Sequence, residues 1–394
     1  MATVEKPVRH LVRYGGYFKW CCNIELLSPS IHKGTLNNSP STSAGQKPRF
    51  QLLHLLRALA TLLIVLHHVN MMAGKNYGVT LLPKVFDRSD FRVDFLFVLS
   101  GFIITWLYAD KCGGGGGVLF LQKRLTRVYP LLFTLTSLKL LFLLLVPAGR
   151  WLNETISLKL VLTSYLMLPT DGYPLILGAW ILPFEVCFYV LFAIAISTNA
   201  RVVLIVCMLW SLEIIGFHLG GFAESYSVAP FFMSMRHVQI MGGVVTALWL
   251  RRHPSGRWML PFLLLSSLLF TLGFVYGEEM QEYSKLVRRT WWLLTFGTLI
   301  AGCVLLEKKF SKPYRLWGWL NSLGDSSYSI FLTHSPLLLL GLQGLHRMHV
   351  LSGPMQNAWI LGVAFFATLL GVLCHYWLEK PLIEWVKLAG RRAH

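Results

Sequence analysis

The sequence predicts an all-α, polytopic membrane helical bundle of about ten transmembrane helices, with the N-terminus and the C-terminus in the cytoplasm. Three observations predict it. Hydrophobic residues make up 55% of the 394 residues and charged residues only 14%, whereas soluble domains carry about 25% charged residues. Apolar runs long enough to cross a bilayer recur along the chain. Lysine and arginine are concentrated between alternate runs.

The chain begins with a polar segment, residues 1–48, which lacks the apolar core of a cleavable signal peptide. We interpret it as a disordered cytoplasmic arm. A transmembrane domain is predicted over residues 49–385 and a basic cytoplasmic tail over residues 386–394. The stretch 158–168 is too short to span and is expected to be re-entrant or interfacial. The predicted spans are residues 50–71, 91–109, 129–147, 178–197, 202–220, 231–250, 258–276, 290–306, 326–346 and 357–378.

The distribution of positive charge predicts the orientation of the spans. With the N-terminus inside, the cytoplasmic segments hold 23 lysines and arginines and the opposite loops hold 10. Such a bias predicts that both termini are cytoplasmic. The formal net charge of +18 does not indicate nucleic-acid binding, because the basic residues lie in short loops between apolar spans. The lipid bilayer is the expected partner.

Neither the cysteines nor the glycine run indicates a cofactor. The seven cysteines have no spacing typical of a metal site or a disulfide framework, so no metal is expected. The run Gly113–Gly117 is interpreted as a flexible linker before a basic patch. It is not a phosphate-binding loop, because no Gly-Lys-Ser or Gly-Lys-Thr follows it.

Two polar residues, Arg57 and His68, share one face of the first predicted span. They are eleven residues apart, so on a helix their side chains point within about 20° of each other and about 16 Å apart along the axis. The structural interpretation is a snorkelling arginine and an interfacial histidine. The functional interpretation is favoured, because ionisable residues inside a membrane usually mark a site. A neutral histidine can accept a proton from a hydroxyl group, and an arginine can bind phosphate.

Two acids are the further candidates inside spans. Asp94 opens the second span, where a helix-start acid is favoured by the helix dipole, or it is the electrostatic partner of a nearby cation. The adjacent Ser100-Gly101 pair predicts close helix packing. Glu185 lies in the fourth span. It is either a buried carboxylate that is hydrogen-bonded for packing, or the acid that orients the imidazole or an acceptor sugar.

A basic pair, Arg124 and Arg127, follows the glycine run. Three residues apart, the two side chains share a face if a helix begins here. Alone, the pair indicates a cytoplasmic anchor. Together with Arg57 on the same side, it indicates a site for a phosphate-rich cosubstrate.

The remaining intramembrane histidines are expected to be packing residues. Ser329 and His334 are five residues apart and do not share a helix face well, so no Ser-His-acid triad is predicted. His334 is interpreted as a histidine whose hydrogen bonds are satisfied within the bundle. Core packing is likewise expected for three other histidines. They are His218, His237 and His375.

Taken together, residues 50–385 resemble the acyltransferase 3 family of integral-membrane acyltransferases. The similarity rests on four ordered motifs and on the late LGDSSYSIFLTH and terminal EKP sequences (Glu379–Pro381). It is most like the stand-alone exopolysaccharide O-acetyltransferases, because no hydrolase-like domain is fused to the spans. The motifs are Arg-x10-His (Arg57, His68), VDFLFVLSGF of the second span, Arg-x-x-Arg (Arg124, Arg127), and W-x4-E-x2-FY (Trp180, Glu185, Phe188, Tyr189).

The resemblance implies ten spans in a bacterial-type inner (plasma) membrane and an enzyme without a permanently bound cofactor. Acetyl-CoA or another acyl-CoA is the implied cytoplasmic co-substrate, and a hydroxyl of an exported glycan, polysaccharide or lipid-linked sugar is the implied acceptor. By motif matching, His68 and Arg57 are essential residues. Arg124 and Arg127 are implied donor contacts, with Arg57 as a further candidate. Glu185 or Asp94 is expected to orient the imidazole.

Two other functions stay open at this point. A transporter or flippase of a lipid-linked sugar or an anion would also need intramembrane charges, although the chain shows no two-half repeat. An O-acyltransferase of a small-molecule or lipid acceptor would share the same motifs. The oligomeric state is left open.

Overall fold

The computed structural model describes residues 50–79, 91–145, 156–169, 172–220, 231–276, 279, 283–309, 318–352 and 355–392, and the regular elements in these ranges are all helical. The predicted arm, residues 1–48, lies outside the described residues. The α-helices are α1 (Gln51–Tyr77), α2 (Phe91–Tyr108), α3 (Gly117–Leu145), α4 (Leu158–Leu166), α5 (Leu182–Ser197), α6 (Ala200–Leu219), α7 (Met235–Arg252), α8 (Met259–Val275), α9 (Lys285–Lys309), α10 (Gly318–Asp325), α11 (Ser327–Arg347), α12 (Gln356–Cys374) and α13 (Lys380–Arg392).

Short helical turns complete the described chain. They are the 3-10 turns Ala109–Lys111, Leu177–Ile181, Gly256–Trp258 and Val350–Ser352, and the π-helical turn His375–Glu379. The π-helical turn joins α12 to α13, so the predicted tail begins inside a continuous helix. The stretch predicted to be re-entrant or interfacial forms α4, whose first turn is capped by the Ser157 side chain accepting from the Leu160 amide at 3.1 Å.

The prediction of a polytopic helical membrane bundle is confirmed. Among the described residues, eight helices are long and apolar enough to cross a bilayer, and each coincides with one of the ten predicted spans. The other two predicted spans coincide with α7 and α11, which carry more polar residues. Helix α3 begins at Gly117, twelve residues before the predicted span, so Arg124 and Arg127 lie within it.

The exposed and buried residues show which helices face lipid. Helices α6 and α8 expose large apolar side chains along most of their length, as expected of an outer surface in hydrocarbon. Helices α7 and α11 instead bury polar side chains, including Gln239 and His334. Their lower hydrophobicity is tolerated because neighbouring helices, not lipid, surround those side chains.

The tightest helix contact is the crossing of α2 and α7. A Cβ added at Gly101 would overlap the carbonyl of Ile240, and one added at Gly243 would overlap the carbonyl of Val98. The two glycines therefore let the backbones touch, as predicted from the Ser100-Gly101 pair. This contact fixes α7, with the residues of its first turn, against the start of α2.

The bundle has two ends, which we name after one arginine each. At the Arg57 end, the start of α1 meets the end of α2, where the Phe50 and Trp106 rings lie 5.5 Å apart. The start of α3 joins them through Tyr108 and Phe120, whose rings are 4.9 Å apart. At the opposite, Arg92 end, the first turns of α2, α7 and α9 surround a cavity.

Candidate active site

A cavity of about 1150 Å³ occupies the middle of the bundle and its Arg92 end. We call it the large cavity. Its walls come from α1, α2, α3, α7, α9, α11, α12 and residues 173–180. The titratable and thiol-bearing side chains of its lining are His67, His68, Lys75, Arg92, Asp94, Lys139, Tyr173, Arg236, Arg289, His334 and Cys374. The cavity therefore combines a buried imidazole, that of His334, and two half-buried ones with a set of cations.

His68 contributes its imidazole from α1. The ring nitrogen Nδ1 lies 2.9 Å from the carbonyl oxygen of Ile64, one helical turn earlier. A carbonyl oxygen only accepts hydrogen bonds, so Nδ1 carries the proton and Nε2 of the neutral ring carries the lone pair. Because the Nδ1 side of the ring is tied to its own helix, Nε2 is the nitrogen available to a hydroxyl group in the cavity.

His334 of α11 faces His68, which the sequence did not predict. The two ring centroids lie 4.8 Å apart, and His334 is 0% exposed. Its Nδ1 donates to the carbonyl of Ile330 at 3.2 Å, so its lone pair also lies on Nε2. Within the described part of the chain, this Nε2 has no hydrogen-bond partner. The prediction that the hydrogen bonds of His334 are satisfied within the bundle is therefore not met at Nε2.

Asp94 lines the same cavity, but its carboxylate is engaged with another helix. Its Oδ1 accepts a hydrogen bond from Nη1 of Arg289 at 2.7 Å, and both side chains are almost fully buried. This ion pair joins the first turn of α2 to the first turn of α9. Of the two alternatives given for Asp94, the geometry agrees with the partner of a nearby cation.

Glu185 lies in the first turn of α5, where its carboxylate contacts two hydroxyl groups. Its carboxylate accepts hydrogen bonds from Ser100 at 3.0 Å and from Tyr189 at 2.9 Å. Among the described residues, the hydrogen-bond partner of the His68 imidazole is the Ile64 carbonyl. The structure therefore does not bring the carboxylates of Glu185 and Asp94 to the positions expected of an acid that orients His68.

Arg57 and His68 share a face of α1, as predicted, but they line different cavities. Arg57 lines a small cavity of about 160 Å³ beside Trp106. Its guanidinium donates to the carbonyl of Gly324 and lies 3.3 Å from Nδ1 of His54. Arg57 thus binds α1 to the end of α10. The side chain of Ile64 is buried between the two sites.

Arg124 and Arg127 lie at the Arg57 end, as the sequence predicted. The guanidinium of Arg124 stacks 5.0 Å from the ring of Tyr108 and 5.5 Å from that of Phe120, and it interacts electrostatically with Glu185. Arg127 is exposed one turn further along α3. Arg124 therefore packs against the end of α2, and Arg57 lines a cavity with Trp106 of the same helix.

A second buried polar cluster lies around the π-helical turn. Oε2 of Glu379 accepts from Ser329 at 2.5 Å and from Nδ1 of His375 at 2.7 Å. Cys374, the preceding residue, interacts with Ser329 and lines the large cavity. The terminal Glu-Lys-Pro sequence pointed to this segment, but its spacing to Ser329 carried no signal of the contact.

Comparison with known proteins gives a family match that covers both ends of the bundle. A family model described as an acyltransferase domain matches residues 51–377. The chain belongs to the acyltransferase 3 family. Its matched region includes His68, His334 and both ends of the bundle, so the acyltransferase 3 domain contains the large cavity and the Arg57 end together.

Two curated relatives agree with this family. The chain is 27% identical over 313 residues, 74% of this chain and 89% of the relative, to the exopolysaccharide production protein ExoZ of Rhizobium meliloti (strain 1021). It is 24% identical over 368 residues, 86% of this chain and 92% of the relative, to the acyltransferase MdmB of Streptomyces mycarofaciens. No solved structure matches the chain. As a member of the acyltransferase 3 family, the protein is a multi-pass membrane acyltransferase.

Proposed function

We propose that this acyltransferase moves an acetyl group from cytoplasmic acetyl-CoA to a hydroxyl of an exported glycan, polysaccharide or lipid-linked sugar. The observation that carries the proposal is the state of His68. Its Nδ1 is bound to the Ile64 carbonyl at 2.9 Å, and its ring lines a cavity of about 1150 Å³. This is the arrangement that a general base for a hydroxyl nucleophile requires.

The reaction follows from the chemistry of the two substrates. The acceptor hydroxyl gives its proton to Nε2 of His68 while its oxygen attacks the thioester carbonyl carbon. The new C–O bond forms, the C–S bond breaks, and the departing CoA thiolate takes the proton from the imidazolium. His68 ends in its starting state, so the enzyme needs no further proton source.

His334 supports this chemistry from the facing helix. Its ring lies 4.8 Å from that of His68 and its Nε2 carries a lone pair. A second base at this position can share the proton that His68 accepts, which lowers the cost of an imidazolium in a poorly solvated site. His334 is a positioning residue in this mechanism, because its role is exerted through His68.

The Arg57 end is the proposed docking site of the donor. Arg124 packs over the rings of Tyr108 and Phe120, and Arg127 is exposed one turn further along α3. Guanidinium groups bind phosphates through paired hydrogen bonds, and CoA carries phosphates at one end and the thioester at the other. Arg57 contributes positive charge at the same end, about 16 Å from His68 along the helix axis.

The acceptor class is supported by the size of the cavity and by one relative. The large cavity is bigger than the clefts of about 300–1000 Å³ that hold most small ligands, so a sugar unit has room beside His68. The relative ExoZ is a protein of exopolysaccharide production. A glycan acceptor is therefore favoured over a small-molecule acceptor.

The experiment uses a strain that lacks the gene, complemented with the wild type, His68→Gln or His218→Gln. His218 is a matched control, because its Nδ1 also donates to a carbonyl one turn earlier, that of Ile214 at 2.9 Å. It does not line the large cavity. We expect ester-linked acetate on the surface polysaccharide, and CoA release in isolated membranes, with the wild type and His218→Gln. Both are lost with His68→Gln while the protein remains in the membrane.

Two results would contradict the proposal. Normal acetate content with His68→Gln would remove His68 from the chemistry. Membranes that release no CoA from acetyl-CoA, whatever acceptor is present, would favour a transporter.

A trapped acetyl-enzyme after labelled acetyl-CoA is added without acceptor would show a relay through the enzyme, and its absence after rapid quenching would show direct transfer.

A further inference from the structure

The Arg92 end of the large cavity is strongly positive. Among the described residues of its lining, five side chains are cationic and one is anionic. The cations are Lys75 of α1, Arg92 of α2, Lys139 of α3, Arg236 of α7 and Arg289 of α9, and the carboxylate is Asp94. Asp94 is paired with Arg289. Four other cations from four different helices therefore face the same space.

Part of this positive charge is buried: Arg92 and Arg289 are buried, Arg236 and Lys139 are half-buried, and Lys75 is exposed. Arg92 is 2% exposed and Arg289 is 4% exposed. Cations at membrane depth are costly unless anions accompany them. An anionic ligand in the cavity would offset that cost, so the charge distribution favours a negatively charged occupant over a neutral one.

The arginines are also held in fixed orientations. Arg236 stacks 4.8 Å from the ring of Trp180 and 5.4 Å from that of Phe184. Arg92 lies 5.0 Å from the ring of Phe91. A pre-oriented guanidinium suits carboxylate or phosphate oxygens, because it offers two parallel hydrogen bonds and loses little side-chain freedom on binding.

The cations share their cavity with the proposed base. Arg92 interacts electrostatically with His68, and both line the large cavity with Arg236. An oxyanion bound at Arg92 and Arg236 would therefore place the rest of its molecule beside Nε2 of His68. The donor phosphates are assigned to the other end of the bundle, so this second set of cations remains for the acceptor.

We propose that the Arg92 end is an anion site and that the acceptor of this acyltransferase carries a carboxylate or phosphate group, as a uronic-acid-containing glycan or a lipid-diphosphate-linked sugar does. The inference names the acceptor class and rests on the proposed function. Lys75 and Lys139 add positive charge to the lining that contains Arg92 and Arg236. This larger positive surface suits either a carboxylate or a phosphate.

The test reads the charge of the cavity without measuring activity. Met71 lines the large cavity and is 39% exposed. The full chain carries Met71→Cys with its native cysteines replaced by serine or alanine, and is labelled in nanodiscs with an anionic or a cationic methanethiosulfonate. We expect a preference for the anionic reagent that falls about tenfold or more in Arg236→Gln, as loss of one close cation in a poorly solvated site predicts.

Arg288→Gln is the matched control, because Arg288 neighbours Arg289 in sequence but does not line the large cavity. We expect it to leave the reagent preference unchanged. No preference for the anionic reagent in the parent, or the same preference in Arg236→Gln as in the parent, would overturn the proposal. These outcomes do not depend on CoA release, so they separate this inference from the proposed function.

Three small probes then identify the chemistry that the site binds. Glucuronate, inorganic pyrophosphate and glucose are added at equal ionic strength before labelling. We expect glucuronate or pyrophosphate to slow the labelling of Met71→Cys, but not when Arg236→Gln is also present, and glucose to have no effect. Protection by glucuronate indicates a carboxylated glycan, and protection by pyrophosphate indicates a lipid diphosphate. Equal protection by glucose, or protection by coenzyme A alone, would contradict an anionic acceptor.

Discussion

The imidazole rings of His68 and His334 lie 4.8 Å apart across the boundary between α1 and α11. Each Nδ1 donates to a carbonyl of its own helix, so both lone pairs lie on Nε2, and both residues line the large cavity. In the proposed mechanism the two rings share the proton that His68 accepts. The proposed chemistry therefore depends on the packing of two helices, not on one residue.

Replacing His334 with Asn should lower kcat by about 100-fold, because proton transfer through His68 would lose the support of the facing imidazole. The KM for acetyl-CoA should stay within about twofold, because His334 lies in the large cavity and not at the Arg57 end. Steady-state CoA release in nanodiscs measures both constants. His218→Asn is the control, and a His334→Asn enzyme with the kcat of the wild type would show that His334 only packs.

Replacing Asp94 with Asn should destabilise the protein by on the order of 3 kcal/mol, because Arg289 would then be buried without its carboxylate. The double replacement Asp94→Asn with Arg289→Gln should recover part of this loss, since it leaves no buried charge from the pair. Melting temperatures in detergent measure the effect. A double variant less stable than Asp94→Asn would argue against the ion pair as the reason for the acid.

Replacing Gly101 with Val should separate α2 from α7, because any Cβ at this position overlaps the Ile240 carbonyl. Overpacking of this kind costs about 1–3 kcal/mol or more. We expect a lower melting temperature and a lower yield of folded protein. Gly216→Ala is the control, because a Cβ at Gly216 of α6 meets nothing within 4 Å, and it should leave the melting temperature unchanged or raised.

Replacing Arg127 with Gln should raise the KM for acetyl-CoA by about tenfold through loss of a charged hydrogen bond to phosphate, with little change in the KM for the acceptor. Arg201→Gln serves for comparison. Arg201 is exposed at the start of α6, near the end of α5 that contacts Gly113. A rise in the acceptor KM alone would place the donor elsewhere.

The spans were predictable from the sequence because long apolar runs have few alternatives to a membrane helix. The start of α3 was not predictable. Its first twelve residues follow a glycine run and include polar residues, so they do not form an apolar run that predicts a span. Helices α7 and α11 show a related effect. They are more polar than the other predicted spans, because side chains such as Gln239 and His334 are buried by neighbouring helices.

The site was only partly predictable, because spacing along one helix says nothing about the helix that faces it. His68 and Arg57 were identified as site candidates because their spacing puts them on one face of the first predicted span. The contact of His68 with His334 joins segments far apart in sequence and left no pattern in either of them. The Asp94–Arg289 pair left a weak sequence signal. The two opposite charges lie at the starts of two predicted spans, on the same predicted side of the membrane.

Chemical rescue tests the central claim, that His68 is the base of the transfer, most directly. His68→Ala opens space beside a cavity large enough to admit imidazole. Added imidazole should restore CoA release and acceptor acetylation to His68→Ala, and it should not restore them to Arg57→Ala. Retained turnover in His68→Ala, or no rescue in folded His68→Ala protein that still binds acetyl-CoA, would contradict the account.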